Sequence, residues 1–142
     1  MRVLIINGPN LNLLGKREPD IYGKQTLNDI ETWFNNLDYV KLHTIYWFQS
    51  NHEGKIIDRL HESINNTDGI IINPGAFTHY SYAIRDAIAA IDIPTIEVHL
   101  SNINNREKFR RISVINDVCV AQVSGLGKKS YSEALKILTT ES

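Results

Sequence analysis

An open, doubly wound α/β sheet of five parallel strands, with helices on both faces, is the fold this sequence predicts. Three observations predict it. Short β-branched runs alternate with segments of helical periodicity along the whole chain. Two of the runs, "RVLIING" (2–8) and "GIIINPG" (69–75), are apolar without interruption, as strands covered on both faces are. Amides, histidines and arginines crowd the stretches that follow the runs, whereas "NNLDYV", "NNTDG" and "AIDIP" before them are plain turns.

The elements follow in order. "RVLIING" is the first strand, and after it comes "NLNLLGKREPDIYG", several times longer than an ordinary connection. In "TLNDIETWFNNL", Leu27, Ile30, Trp33, Phe34 and Leu37 recur at spacings of three and four with Thr26 as N-cap, the mark of an amphipathic helix. "KLHTIYWFQ" (41–49) is the second strand. "NHEGKIIDRLHESI" repeats the helical pattern through Ile56, Ile57, Leu60 and Ile64. After the third strand at 69–75, "SYAIRDAIAAI" is a shorter helix. "PTIEVHL" (94–100) and "DVCVAQVSG" (117–125) are the last strands, and "SYSEALKILTT" is a closing helix with Ser130 or Ser132 in capping position. Right-handed crossovers through five such strands give the flavodoxin-like order 2-1-3-4-5.

At 142 residues, 42% hydrophobic and 22% charged, the chain has the size of one domain spanning 1–142 with its own core. Fifteen Lys and Arg against 16 Asp and Glu leave a net charge of -1, so no general affinity for nucleic acid or anionic membrane is expected. The single cysteine, Cys119, excludes an intrachain disulfide and reads as a small hydrophobe within the fifth strand. Neither a signal-peptide core nor a membrane span is visible at the start, which points to the cytoplasm.

In sheets of this order ligands bind beyond the carboxyl ends of the strands, where strand order reverses between the first and third. That edge has neither a G-x-G-x-x-G nor a P-loop pattern, and Asn7 and Asn73 stand where a phosphoacceptor domain needs acids. The five histidines show no tight ligand spacing, so no metal or other cofactor is expected.

What the edge does hold suits proton transfer. Glu97 and His99, two apart in a strand, leave on one face, where the carboxylate could orient the imidazole; a satisfied strand-end histidine is the competing reading. Asn73 before Pro74 and Gly75 reads as a ligand or as a turn. Arg106 and Arg110, four apart, could face an anion together or form a solvated basic surface with Lys108 and Arg111. His79 and Asp86, seven apart, would share a helix face. "GKREPDIYG" is either a surface loop anchored by Tyr22 or a functional element. Together these residues fit removal and return of a proton on a small hydroxylated, carboxylated molecule.

The blocks "INGPNLNLLGKREPDIYG", "FQSNHEG", "INPGAFTHYS", "IRDAI" and "IEVHLSNINNREKFRRIS" closely resemble, in order and spacing, the motifs of type II 3-dehydroquinate dehydratases. The resemblance runs from Arg2 to about Ser113, and "SGLGKKSYSEAL" extends it. It implies a flavodoxin-like subunit of a dodecamer, a tetramer of trimers. It also implies trans dehydration of 3-dehydroquinate to 3-dehydroshikimate in the shikimate pathway, without cofactor, metal or Schiff base. By the same resemblance Tyr22 is the base, Arg17 assists it from a lid at about 15–25, and Asn10 holds a water that stabilises the enolate. His99 is the acid with Glu97 behind it. Asn73, His79 and Arg110 grip the ring hydroxyls, Ser101 and the amides around Leu100 meet the carboxylate, Asn12 and Arg106 support, and Asp86 comes from a neighbouring trimer subunit. Asn105, Arg111 and Phe77 depart from the usual pattern without removing a chemical role. Other lyases acting on cyclic hydroxy acids, and a noncatalytic binding module, are the alternatives; a module would not need both Tyr22 and His99.

Overall fold

The structure, a computed structural model, describes residues 1–16 and 18–141, with Tyr22 and Glu141 described by their backbone alone. The expectations placed on Arg17 and on the Tyr22 side chain lie outside the described residues. Five strands, β1 (Arg2–Asn7), β2 (Thr44–Gln49), β3 (Gly69–Asn73), β4 (Thr95–His99) and β5 (Ala121–Ser124), pair in parallel in the order β2-β1-β3-β4-β5. The predicted order is the observed one.

The helices are α1 (Pro19–Tyr22), α2 (Leu27–Asn35), α3 (Glu53–Glu62), α4 (Tyr82–Ile91) and α5 (Lys129–Glu141). Strand alternation divides the interior in two. Val3, Ile5, Ile71, Ile96 and Val98 point to one face, under Ile30 and Phe34 of α2 and Ala134, Leu135 and Leu138 of α5. Leu4, Ile6, Ile70 and Ile72 point to the other, under Ile56 and Leu60 of α3 and Ile84, Ala87, Ile88 and Ile91 of α4. Each such aliphatic side chain contributes ~1.5–3 kcal/mol by leaving water, so β1 and β3, buried on both faces, anchor the sheet.

β4 breaks this symmetry. Its first face is apolar, but Thr95, Glu97 and His99 on the second are polar and all are buried. That polar stripe runs to the carboxyl edge of the sheet.

Local signals set the helix starts. Thr26 caps α2 reciprocally: its hydroxyl accepts from the Asp29 amide at 3.1 Å, and its own amide donates to the Asp29 carboxylate at 3.0 Å. Ser81 caps α4 by accepting from the Ile84 amide and donates to Glu53 at 2.6 Å, which ties α4 to α3.

Several expectations are corrected. Residues 41–43 of the second run lie outside the strand, Lys41 and Leu42 closing the 3-10 turn Val40–Leu42, because β2 begins only where pairing with β1 begins, at Thr44. Cys119 lies before β5, at the end of the 3-10 turn Asn116–Val118, and is only half-buried. Neither Ser130 nor Ser132 precedes α5, which starts at Lys129; the Ser130 hydroxyl donates instead to the His99 carbonyl at 3.0 Å. His79 and Asp86 do not share a helix face, since His79 closes a separate 3-10 turn (Gly75–His79) and the extended Ser81 separates it from α4. Within the long connection after β1, Pro19 opens a single helical turn, with its fixed φ at the first helical position.

Candidate active site

β1 and β3 end side by side, with Asn7 opposite Asn73, and the chain leaves each strand in a different direction. The two exits pass so closely that the Gly8 amide donates to the Asn73 carbonyl at 2.7 Å, and a Cβ on Gly8 would run into the Pro74 carbonyl. Only glycine fits there. The crevice this opens holds a cavity of about 140 Å³.

Asn10, Asn73, His79 and His99 line it, with Leu100, Ser101, Arg106 and Arg110 on the side of the loop after β4. Eight residues expected from the sequence therefore meet in one place. Glu97 lies behind His99 rather than in the wall. Asn12 is also outside the wall, its side-chain oxygen accepting from Gln49 at 3.4 Å. Asp86 does not line its own chain's cavity; its side chain is 78% exposed on α4, with Arg85 at 3.6 Å.

The Glu97–His99 end of the site is heavily held. One His99 ring nitrogen donates to Glu97 Oε2 at 2.5 Å, and the Glu97 side chain is fully buried. Glu97 Oε1 accepts from the Ser113 hydroxyl at 2.9 Å, and Oε2 accepts from the Gln122 amide at 3.0 Å. Three donors converging on one carboxyl suit its ionised form, which only accepts. With one ring nitrogen committed to Glu97, the other is left for the cavity. The His99 carbonyl is itself held by Ser130 and by the Gly125 amide at 3.3 Å.

His79 is set up as an acceptor. Its Nδ1 donates to the Ile112 carbonyl at 2.7 Å, so Nδ1 carries the proton and Nε2 keeps its lone pair. Burial lowers its pKa below the ordinary imidazole value; the Ile112 bond opposes this, the charges of His99 and Arg110 reinforce it, and that of Glu97 opposes it slightly. A neutral His79 accepts from a hydroxyl.

Asn73 is fixed from both sides: Oδ1 accepts from the Gly75 amide, and Nδ2 donates to the Tyr131 hydroxyl at 3.3 Å. That hydroxyl donates to Asn7 Oδ1 at 2.5 Å, so a tyrosine from α5 joins the ends of β1 and β3. Burial pushes its pKa above the ordinary phenol value, which keeps the donor in place. Asn10 adopts the left-handed region at φ 69°, which asparagine tolerates, and its amide donates to Asn51 Oδ1 at 3.0 Å.

On the loop after β4, Arg106 donates to the Ser101 hydroxyl at 3.3 Å, and Arg110 pairs with Glu107 while lying 4.7 Å above the Phe109 ring. Arg106 thus stands beside Ser101, at the end of the cavity expected to take a carboxylate. No lysine lines the cavity among the described residues, and no group of three His, Cys, Asp or Glu there could hold a metal ion. Burial, with the charge of Glu97, raises the Cys119 pKa to about 12, so that sulfur stays a thiol.

The segment carrying Tyr22 leaves the domain through a narrow neck. Gly15, at φ +87°, sits so close to Lys24 that a Cβ would lie 2.7 Å from its carbonyl oxygen. Glu18 to Ile21 and Gly23 to Gln25 are exposed. Sequence reading missed Ser113, Gln122, Tyr131 and Asn51. Only for Gln122 was there a signal, a lone amide in an apolar strand, and its meaning depends on a register that places it opposite Glu97.

The family model described as "Dehydroquinase class II" matches residues 1–139. A protein named 3-dehydroquinate dehydratase from Caldicellulosiruptor saccharolyticus is 60% identical over 139 residues, covering 96% of this chain and 95% of the relative. One of the same name from Bacillus pumilus is 52% identical, covering 97% and 94%. The crystal structure of a type II dehydroquinase from Butyrivibrio crossotus superposes with a TM-score of 0.95 at 52% identity, covering 98% of this chain and 97% of that one.

Proposed function

The chain belongs to the class II dehydroquinase family, and on that premise we propose that it is a 3-dehydroquinate dehydratase working through an enolate, with Tyr22 as base and His99 as acid. The observation that carries this reading is the cavity at the β1/β3 switch point with a Glu97-bound His99 in its wall.

In this reading Tyr22 takes the proton from the carbon next to the ketone, and the C–H electrons form the enolate. A free phenol titrates near 10, so the phenolate needs cationic help, which Arg17 supplies from the same segment. Asn10 and its water stabilise the developing oxyanion, where preorganised donors matter most. Collapse of the enolate forms the ring double bond and breaks the C–O bond. His99 delivers its proton to the departing hydroxyl, which leaves as water, and Glu97 stabilises the imidazolium that precedes this step.

The substrate's ring hydroxyls meet Asn73, His79 and Arg110. Its carboxylate meets Ser101 and the amides around Leu100, with Asn12 and Arg106 in support. Segment 15–25 acts as a lid that excludes water while the proton is removed. Asp86, exposed on α4, fits the role of a residue lent to a neighbouring subunit's site in a dodecamer acting in the cytoplasmic shikimate pathway. A cavity lined by no lysine among the described residues favours a route without a Schiff base.

Adding 3-dehydroquinate to the purified protein should raise the ultraviolet absorbance of a conjugated enone carboxylate. No rise would sink the activity, leaving a binding module or a lyase with another substrate. Borohydride added with substrate should leave activity intact; trapping on a lysine would overturn the enolate route.

A further inference from the structure

We propose that Gln122 and Ser113 are positioning residues that aim the Glu97 carboxylate at His99, and so set His99 up as the acid; the proposal rests on the reading of His99 given above.

Glu97 is fully buried at the middle of β4, and its side chain has several rotamers available in principle. Two fixed donors select one of them. Gln122 stands directly opposite Glu97 in the β4/β5 register, and its amide donates to Oε2 at 3.0 Å. Ser113, on the loop returning from the 3-10 turn Lys108–Arg111, donates to Oε1 at 2.9 Å. The two donors grip different oxygens, which fixes the plane of the carboxyl group as well as its place. Oε2, held by Gln122, is the oxygen that receives the His99 N–H at 2.5 Å.

A carboxylate held this way favours one imidazole tautomer and presents the other nitrogen to the cavity. Without Gln122, the His99 ring is the only partner of Oε2, so that oxygen has no anchor independent of the imidazole, and carboxyl and ring can shift together about the Ser113 contact. His99 would still be present, but the proton it must deliver would be misdirected. Neither Gln122 nor Ser113 lines the cavity, so neither is placed to bind substrate. Their loss should therefore fall on the chemical step.

The test compares Gln122→Leu, Ser113→Ala and Ser113→Thr with the unaltered protein, reading kinetics with 3-dehydroquinate, thermal unfolding and proton NMR. The imidazole N–H bonded to Glu97 gives a far-downfield resonance, assigned by its loss in His99→Ala. Gln122→Leu and Ser113→Ala should each lower kcat about tenfold with KM within about twofold, as loss of a hydrogen bond to a charged group predicts. They should also shift or broaden the downfield proton. Ser113→Thr, which keeps the hydroxyl, should restore both signals. The proposal is overturned if the resonance and kcat are unchanged in folded Gln122→Leu, or if Ser113→Thr behaves like Ser113→Ala. Because the NMR arm needs no turnover, an inactive wild type with a responsive resonance would sink the dehydratase reading while leaving the positioning of His99 by Gln122 and Ser113 standing.

Discussion

The β4 wall of the cavity and segment 15–25 hold the two proposed proton-transfer groups, and they are built in contrasting ways. His99 and Glu97 are buried, and five hydrogen bonds, one between them and one each from Ser113, Gln122, Ser130 and Gly125, hold their side chains and the His99 carbonyl. In the segment around Tyr22, the backbone bonds among the described residues are local: Ile21 to Glu18, Gly23 to Pro19, and Lys16 to Leu13. Its described side chains face solvent. The proposed acid is part of the core's polar stripe, whereas the proposed base is carried by a surface turn that meets the domain at Gly15 and Lys24. With these groups as acid and base, fold stability and catalysis should be coupled at one end of the site and separable at the other.

That contrast is sharpest in Tyr22→Phe. It should lower kcat by about 10²–10⁴-fold, the usual worth of a positioned general base, while ligand binding persists and stability stays within ~0.5 kcal/mol. A large loss of affinity with preserved turnover would break the assignment. Glu97→Gln should do damage on both counts, because its new NH2 group must face either the Ser113 hydroxyl or the His99 and Gln122 donors: turnover drops by roughly 10–100-fold and urea unfolding registers a loss of ~1–3 kcal/mol. If Glu97→Gln proved as stable as the wild type, the coupling at the acid end would be refuted.

Tyr131→Phe isolates the scaffold from the chemistry. The Asn7 and Asn73 amides lose a buried partner, so stability should fall by ~1–2 kcal/mol and KM should rise a few-fold with kcat nearly kept. A fall in kcat alone would place Tyr131 in the chemistry instead. The smallest effect is in pH. His79 has its pKa lowered mainly by burial, so the unfolded chain binds its proton more readily than the fold does. Stability should therefore rise with pH through the region just below about 6.5, and His79→Gln should flatten that part of the curve. A slope of the opposite sign would contradict the neutral, acceptor His79.

The sheet was legible because period and punctuation agree. β1 and β3 are continuous apolar runs, α2 carries a capping box at Thr26, and the strand order follows from alternation. Boundaries were less legible where pairing rather than propensity decides: residues 41–43 run on directly into the β-branched and aromatic stretch but lie before the β1 register begins. Of the site, residues on the strand ends and on the loop after β4 were readable, since topology sends them to one edge. The supports were not. Tyr131 looks like any helix residue until α5 packs on β3, β4 and β5 and its hydroxyl reaches the ends of β1 and β3, and Ser113 and Gln122 matter only through contacts 16 and 25 residues away in sequence. Asp86 was read as sharing a face with His79, and the break at Ser81 removes that relation.

The most direct test of the division between a separable base and an embedded acid is one ultraviolet assay with 3-dehydroquinate, run on wild type, Tyr22→Phe and His99→Ala alongside their unfolding curves. Enone absorbance should grow with the wild type and be nearly lost in both variants, with unfolding shifted to lower denaturant only for His99→Ala. Enone formation at the wild-type rate in either variant, or an equal loss of stability in both, would contradict the account.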